Sequence, residues 1–205
     1  MDSTIITALS AQNPSIRLRA VLAAGTVPDP ALVDPLIDRG AGERDFYVRD
    51  MLTWAVTRHP DRIVVPKLIR QLGDSRPGAR SFALHTLSKV RVPGIWEQLP
   101  VHLLHDASTE VRTAAWRAAV AVVPQREQGV LVDELRQELG RGDWETQRSL
   151  SRALAALAGT SRPELLAVSA HASATLALID DPDSDFLSDL ELARRLAAAG
   201  TEADN

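Results

Sequence analysis

The stretch Asp106-Ala107-Ser108-Thr109-Glu110-Val111-Arg112-Thr113-Ala114-Ala115-Trp116-Arg117-Ala118-Ala119-Val120 opens with an acid in a turn, passes an apolar residue followed by arginine, and continues in small apolar residues. Val111, Ala114, Ala115, Ala118, Ala119 and Val122 fall on one face of a 3.6-residue helix, the pattern of an amphipathic helix with a buried stripe. An acid ahead of that helix suits its N-terminus, where backbone N–H groups lack partners and the dipole favours negative charge.

The same arrangement recurs in both directions along the chain. Ile16-Arg17, Val48-Arg49, Ala79-Arg80, Val111-Arg112 and a degenerate Gln147-Arg148 place the arginines 32, 31, 32 and 36 residues apart. Asp74 precedes Arg80 by six residues, Asp106 precedes Arg112 by six and Glu43 stands likewise before Arg49, whereas Ala11 and Gly142 occupy that place in the first and fifth copies. Between the arginine-bearing helices lie shorter apolar runs opened by proline, and these predict further helices over Pro30–Arg39, Asp61–Leu72, Gly94–His105 and Arg126–Arg141. Gly40-Ala41-Gly42, Gly73-Asp74-Ser75 and Gly140-Arg141-Gly142 read as the turns between them.

The period, the turn and the Arg-bearing helix resemble those of HEAT-repeat proteins, most clearly at Asp106–Ala115, with variants at Asn13-Pro14-Ser15-Ile16-Arg17 and Asp74–Arg80. The resemblance covers about residues 13–158. It implies an all-α fold: a right-handed α-α superhelix of about six helical hairpins, about twelve helices, whose second helices line a concave binding face. It also implies that Arg49, Asp74, Arg80, Asp106 and Arg112 form a structural ladder between neighbouring repeats. The chain then divides into an N-terminal capping helix at 1–12, core repeats at 13–160, a degenerate capping repeat at 161–200 and a frayed tail at 201–205. In the capping repeat, helices Pro163–Ile179 and Phe186–Ala199 are expected on either side of the acidic turn Asp180–Asp185.

Composition agrees with such a stack. The 205 residues are 45% hydrophobic but only 4% aromatic, so alanine and leucine supply a core of closely packed helices. The chain has no cysteine, which excludes disulfides and thiolate chemistry and suits a reducing, cytoplasmic setting. It has no run long enough to span a bilayer and no secretory leader pattern at its N-terminus, so no membrane association is expected. The net charge of -4 is uneven: residues 1–160 sum to +2 and residues 161–205 to -6.

On the arginine-bearing helices, positions one, five, eight and nine after the arginine should point away from the core. That rule selects Asp50, Trp54, Thr57 and Arg58, then Ser81, His85, Ser88 and Lys89, then Thr113 and Arg117, with Trp116 one position off. Asp50, Trp54, Arg58, His85, Lys89, Trp116 and Arg117 are therefore the candidate binding residues of the concave face. Trp54 has two readings, an exposed anchor or a ring packed on the neighbouring repeat; Trp96 and Trp144 read as packing or capping residues. These helices carry 13 Lys+Arg against 4 Asp+Glu, a net +9. A mildly basic face bearing tryptophan and arginine suits an acidic segment of a protein partner. Nucleic acid fits less well, because the pI is about 5.7 and there are only two lysines.

No catalytic constellation accompanies this face, and the reading is of a non-enzymatic scaffold. His102 and His105 share a helical face but lack a third ligand beyond Asp106, and no His-Glu pair of the kind repeated in HEAT-type metal hydroxylases occurs, so no metal and no cofactor is expected. Neither phosphate-binding glycine motif is present. Ser81 and Ser88 lie on the helix of His85 rather than on a nucleophile elbow. The alternative is a nucleic-acid-binding protein or a DNA glycosylase similar to the DNA-alkylation-repeat enzymes, with Asp50 as its acid and Trp54 beside it. Self-association sealing the concave face is a third possibility.

Overall fold

A computed structural model describes residues 2–157, whose regular structure is all helical, with no strand among them. They fall into two compact units, divided between Val122 and Val123. The helices expected at Pro163–Ile179 and Phe186–Ala199, with the acidic turn and the tail, lie outside the described residues.

The first unit holds α1 (Asp2–Leu9), α2 (Pro14–Thr26), α3 (Val33–Gly42), α4 (Phe46–Thr57), α5 (Asp61–Gln71), α6 (Pro77–Val90) and α7 (Thr109–Val122). The arginine-bearing helices α2, α4, α6 and α7 pack on one another in chain order, while α1, α3 and α5 form a second row against them. Side chains from both rows close the core, among them Val21, Leu36, Leu52, Leu68, Phe82, Leu84, Leu87 and Leu103, each buried. The second unit holds α8 (Gln128–Arg136) and α9 (Trp144–Ala156), which pack on each other. Nine α-helices thus occupy the described residues, fewer than the two per hairpin expected.

The missing helix is the one predicted over Gly94–His105. Two 3-10 turns, Trp96–Gln98 and Val101–His105, take its place, and the second packs against α7 where a full helix would lie. The sequence explains the shortfall: Arg91 and Gly94 have positive φ values of 52° and 84°, and Pro100 interrupts the run. Proline removes a helical N–H and disfavours helical backbone at the residue before it. Arg91 hydrogen-bonds Leu87 O across the end of α6, closing that helix in left-handed geometry.

The helix starts are set by local chemistry. Asn13, Asp29, Asp45 and Asp143 each accept a backbone N–H from the first turn that follows, and Pro14, Pro30 and Pro77 occupy first-turn positions that need no N–H. His59, buried just past the end of α4, has Nδ1 2.9 Å from Ala55 O and Nε2 3.1 Å from Asp29 O, so the ring sits between the α4 terminus and the turn that opens α3.

The arginine period has a direct geometric cause. Arg17, Arg80 and Arg112 each donate through Nη1 to the carbonyl six residues upstream, on Ala11, Asp74 and Asp106, at 2.8–2.9 Å. Arg17 and Arg80 also reach acids 26 residues downstream: Glu43 at 2.7 and 2.8 Å, and Asp106 at 3.0 and 3.1 Å. Asp106 therefore serves two arginines, its carboxylate taking Arg80 and its carbonyl taking Arg112.

Two glycines mark close helix approaches. A methyl group on Gly40 of α3 would overlap the buried Phe82 ring, and one on Gly25 of α2 would overlap the Trp54 ring. Helix propensity alone favours alanine over glycine by about 1 kcal/mol. The fully enclosed Phe82 cannot yield, and overpacking costs about 1–3 kcal/mol. Gly40→Ala is accordingly expected to lower stability in urea denaturation. Gly42→Ala, with nothing within 4 Å of the added carbon, is expected to leave stability unchanged or raise it slightly.

Candidate functional site

The start of α4 is unusual for a helix N-terminus. Asp45 caps it, accepting the Val48 N–H at 3.0 Å, and the next two residues are Phe46 and Tyr47. Both rings project from the protein, 76% and 74% exposed, and pack edge-on against each other with centroids 5.7 Å apart. The Phe46 ring also adjoins a cleft.

That cleft, about 390 Å³, lies across α4, α6 and α7. From α4 it takes Phe46, Arg49 and Asp50; from α6, Ser81 and His85; from α7, Glu110, Ala114 and Arg117. The outward-pointing rule thus brings Asp50, His85 and Arg117 together. Lys89, one turn beyond His85, is exposed and close enough to act on its charge. Arg58, at the end of α4, is exposed but does not line the cleft.

Two expectations need correction. Trp116 is not on this surface: it is fully buried, and its indole N–H donates to Leu104 O at 2.9 Å. It sits one residue before Arg117, about 100° around the helix, which places it on the core side. Trp54 is half-buried over Gly25, the packed alternative, so it does not join Asp50 in the cleft. Trp96 is half-buried, and Trp144 is 44% exposed at the first residue of α9.

Arg49 also departs from the ladder. Its guanidinium donates to Ser81 Oγ at 2.6 Å and pairs with Glu110 at 2.7 Å, both in the cleft. Asp74 lies only 25 residues downstream of Arg49, and its carboxylate is taken by the backbone and side chain of Arg76 at 2.8–3.0 Å. Those Arg76 hydrogen bonds hold the Asp74 carboxyl down to about 2.

The electrostatics of the cleft divide along its width. Burial works to raise the Glu110 carboxyl, but the Ser81 hydroxyl, which donates at 2.6 Å, and the Arg49 cation outweigh it and hold the acid ionised. Arg49 and Glu110 therefore neutralise each other. On the α6–α7 side, Arg117 donates its Nε–H to Thr113 O at 3.2 Å, and neither it nor Lys89 pairs with a carboxylate among the described residues. Burial, then the positive charges of Lys89 and Arg117, push the His85 imidazole below its usual value and keep it neutral at neutral pH.

No protein-family model matches the sequence, and no curated protein shows significant similarity to it. The cleft's own chemistry therefore carries the functional argument. Ser81 is poorly placed as a nucleophile: its hydroxyl donates to Glu110, whose lowered pKa makes it a weak base, and it makes no hydrogen bond with His85 among the described residues. Among the described residues no three His, Cys, Asp or Glu side chains converge as metal ligands. His102 is exposed on its 3-10 turn. No helix among the described residues is long and apolar enough to cross a membrane. What the cleft offers is an exposed aromatic ring together with Arg117, which pairs with no carboxylate among the described residues.

Phe46 and Glu110 were not among the residues selected by helical spacing. An Asp N-cap followed at once by two aromatics, where a first turn is more often polar, was the available signal for Phe46. Glu110 reads as an ordinary first-turn acid until Arg49 and Ser81 are seen to converge on it.

Proposed function

We propose that this chain is a non-enzymatic scaffold of the HEAT-repeat kind that binds a segment of a protein partner on the α4–α6–α7 face. The observation that carries the reading is Phe46, three-quarters exposed, beside Arg117, which lacks a carboxylate partner among the described residues. An exposed ring gains by desolvation, and an unpaired guanidinium gains a charge-assisted hydrogen bond from a carboxylate. The two-row packing of α1–α7 and the 32-residue linkage of arginines and acids support the repeat architecture. A nucleic-acid backbone is a poorer match, since Asp50 and Glu110 share the cleft with the cations and would face phosphates.

Affinity capture from the native host compares the wild type with Phe46→Ala/Arg117→Glu and with Arg58→Glu. The wild type and the Arg58 variant should retain a common partner. The double variant should lose at least about 2 kcal/mol, roughly 30-fold in affinity, as aromatic and arginine anchors do. Equal recovery by all three proteins would rule this face out as the binding site.

A further inference from the structure

The arrangement of charge within the cleft restricts what kind of segment can fill it. Arg49 is spent on Glu110, and Asp50 faces the same space from α4, so the α4 side holds no spare positive charge and would repel an incoming carboxylate. Arg117 on α7, which lines the cleft, and Lys89 on α6, one turn beyond the His85 imidazole, pair with no carboxylate among the described residues. The α4 side offers instead the Phe46 ring. At about 390 Å³ the cleft is near the small end of ligand sites, so it takes a few side chains rather than a folded surface.

We propose that the segment recognised is not an unbroken acidic run but an acidic residue next to a large apolar one. The carboxylate meets Arg117 and Lys89, and the apolar side chain lies against Phe46. This rests on the scaffold reading and specifies its partner. A second or third consecutive carboxylate finds no further cation within the cleft and meets Asp50 or Glu110. An acidic run thus gains little over a single acid, whereas a neighbouring aliphatic or aromatic side chain covers exposed aromatic surface.

Selection from short random peptides displayed on phage, panned against the full chain, tests the inference. The expected consensus is one acidic position adjacent to an aromatic residue or leucine. Representative synthetic peptides should bind Phe46→Ala and Arg117→Glu at least about tenfold more weakly than the wild type and Arg58→Glu equally well. Phe46 and Arg117 are surface residues, so both variants should fold, which far-ultraviolet circular dichroism verifies. Cleft-dependent enrichment of unbroken acidic runs overturns this proposal and leaves the scaffold reading standing. Binders indifferent to Phe46 and Arg117, or no binders at all, overturn both.

Discussion

Trp116→Ala is expected to destabilise the first unit more than any other single truncation in it. The indole is the largest fully buried side chain among the described residues, and removing an aromatic from such a site costs about 3–5 kcal/mol in lost transfer energy and cavity formation. The ring also donates to Leu104 O at 2.9 Å within a 3-10 turn that lacks the hydrogen bonds of a full helix. Leaving that carbonyl without a donor adds about 1–3 kcal/mol. Domains are stable by only about 5–15 kcal/mol, so the variant should be largely unfolded at modest urea, as read by circular dichroism. Trp116→Phe separates the two contributions, because it keeps most of the volume and removes only the donor. A wild-type denaturation curve for Trp116→Ala would show that the ring is not packed as described.

Glu43 is the second site of large effect. It is 4% exposed, and its carboxylate accepts from Arg17 at 2.7 and 2.8 Å, from Arg39 at 3.0 Å and from the Arg44 and Asp45 backbone N–H groups at 3.0 and 2.9 Å. Burial opposes its charge, but the Arg17 hydrogen bonds, the Asp45 amide and the Arg39 cation prevail and bring its pKa down to about 2. Glu43→Ala leaves Arg17 buried and unpaired, which costs about 3–5 kcal/mol. The sign of the pH effect follows from linkage. A carboxyl with a folded pKa below its unfolded value stabilises the protein fully above pH ~4.5, and that contribution fades as pH falls toward ~2. Its size is on the order of 3 kcal/mol, from about 1.4 kcal/mol per unit. Glu43→Gln should therefore be less stable at neutral pH and show a shallower acid limb in urea titrations. An unchanged acid limb would exclude this carboxylate as its source.

The features that could be read from sequence are those with a local cause. Helical class follows from the apolar faces of α2, α4, α6 and α7, and the helix starts follow from Asn13, Asp29, Asp45 and the prolines beside them. Outward spacing correctly grouped Asp50, His85 and Arg117 in one cleft, because helices that stack in order present equivalent positions side by side. The misreadings had non-local causes. Helix phase puts Trp116 on the core side of Arg117, but its hydrogen-bond acceptor, Leu104 O, sits on a turn that stands where a helix was expected over Gly94–His105. Trp54 turned inward because Gly25, two helices earlier, left room for its ring. Phe46 owed its exposure to the end of a helix, where periodicity carries no information.

Asp106 shows what sets the length of a repeat: a carboxylate bonded to one arginine and a carbonyl bonded to the next lock two copies into phase. The interval from Arg49 to Arg80 is one residue short of the intervals on either side of it. There the register slips, Arg49 finds no acid at the proper offset, and its guanidinium turns into the cleft. That lapse lies at the helix that contributes both the exposed aromatic and a cleft arginine. The short interval thereby sends into the cleft an arginine whose counterparts, Arg17 and Arg80, are held by acids downstream.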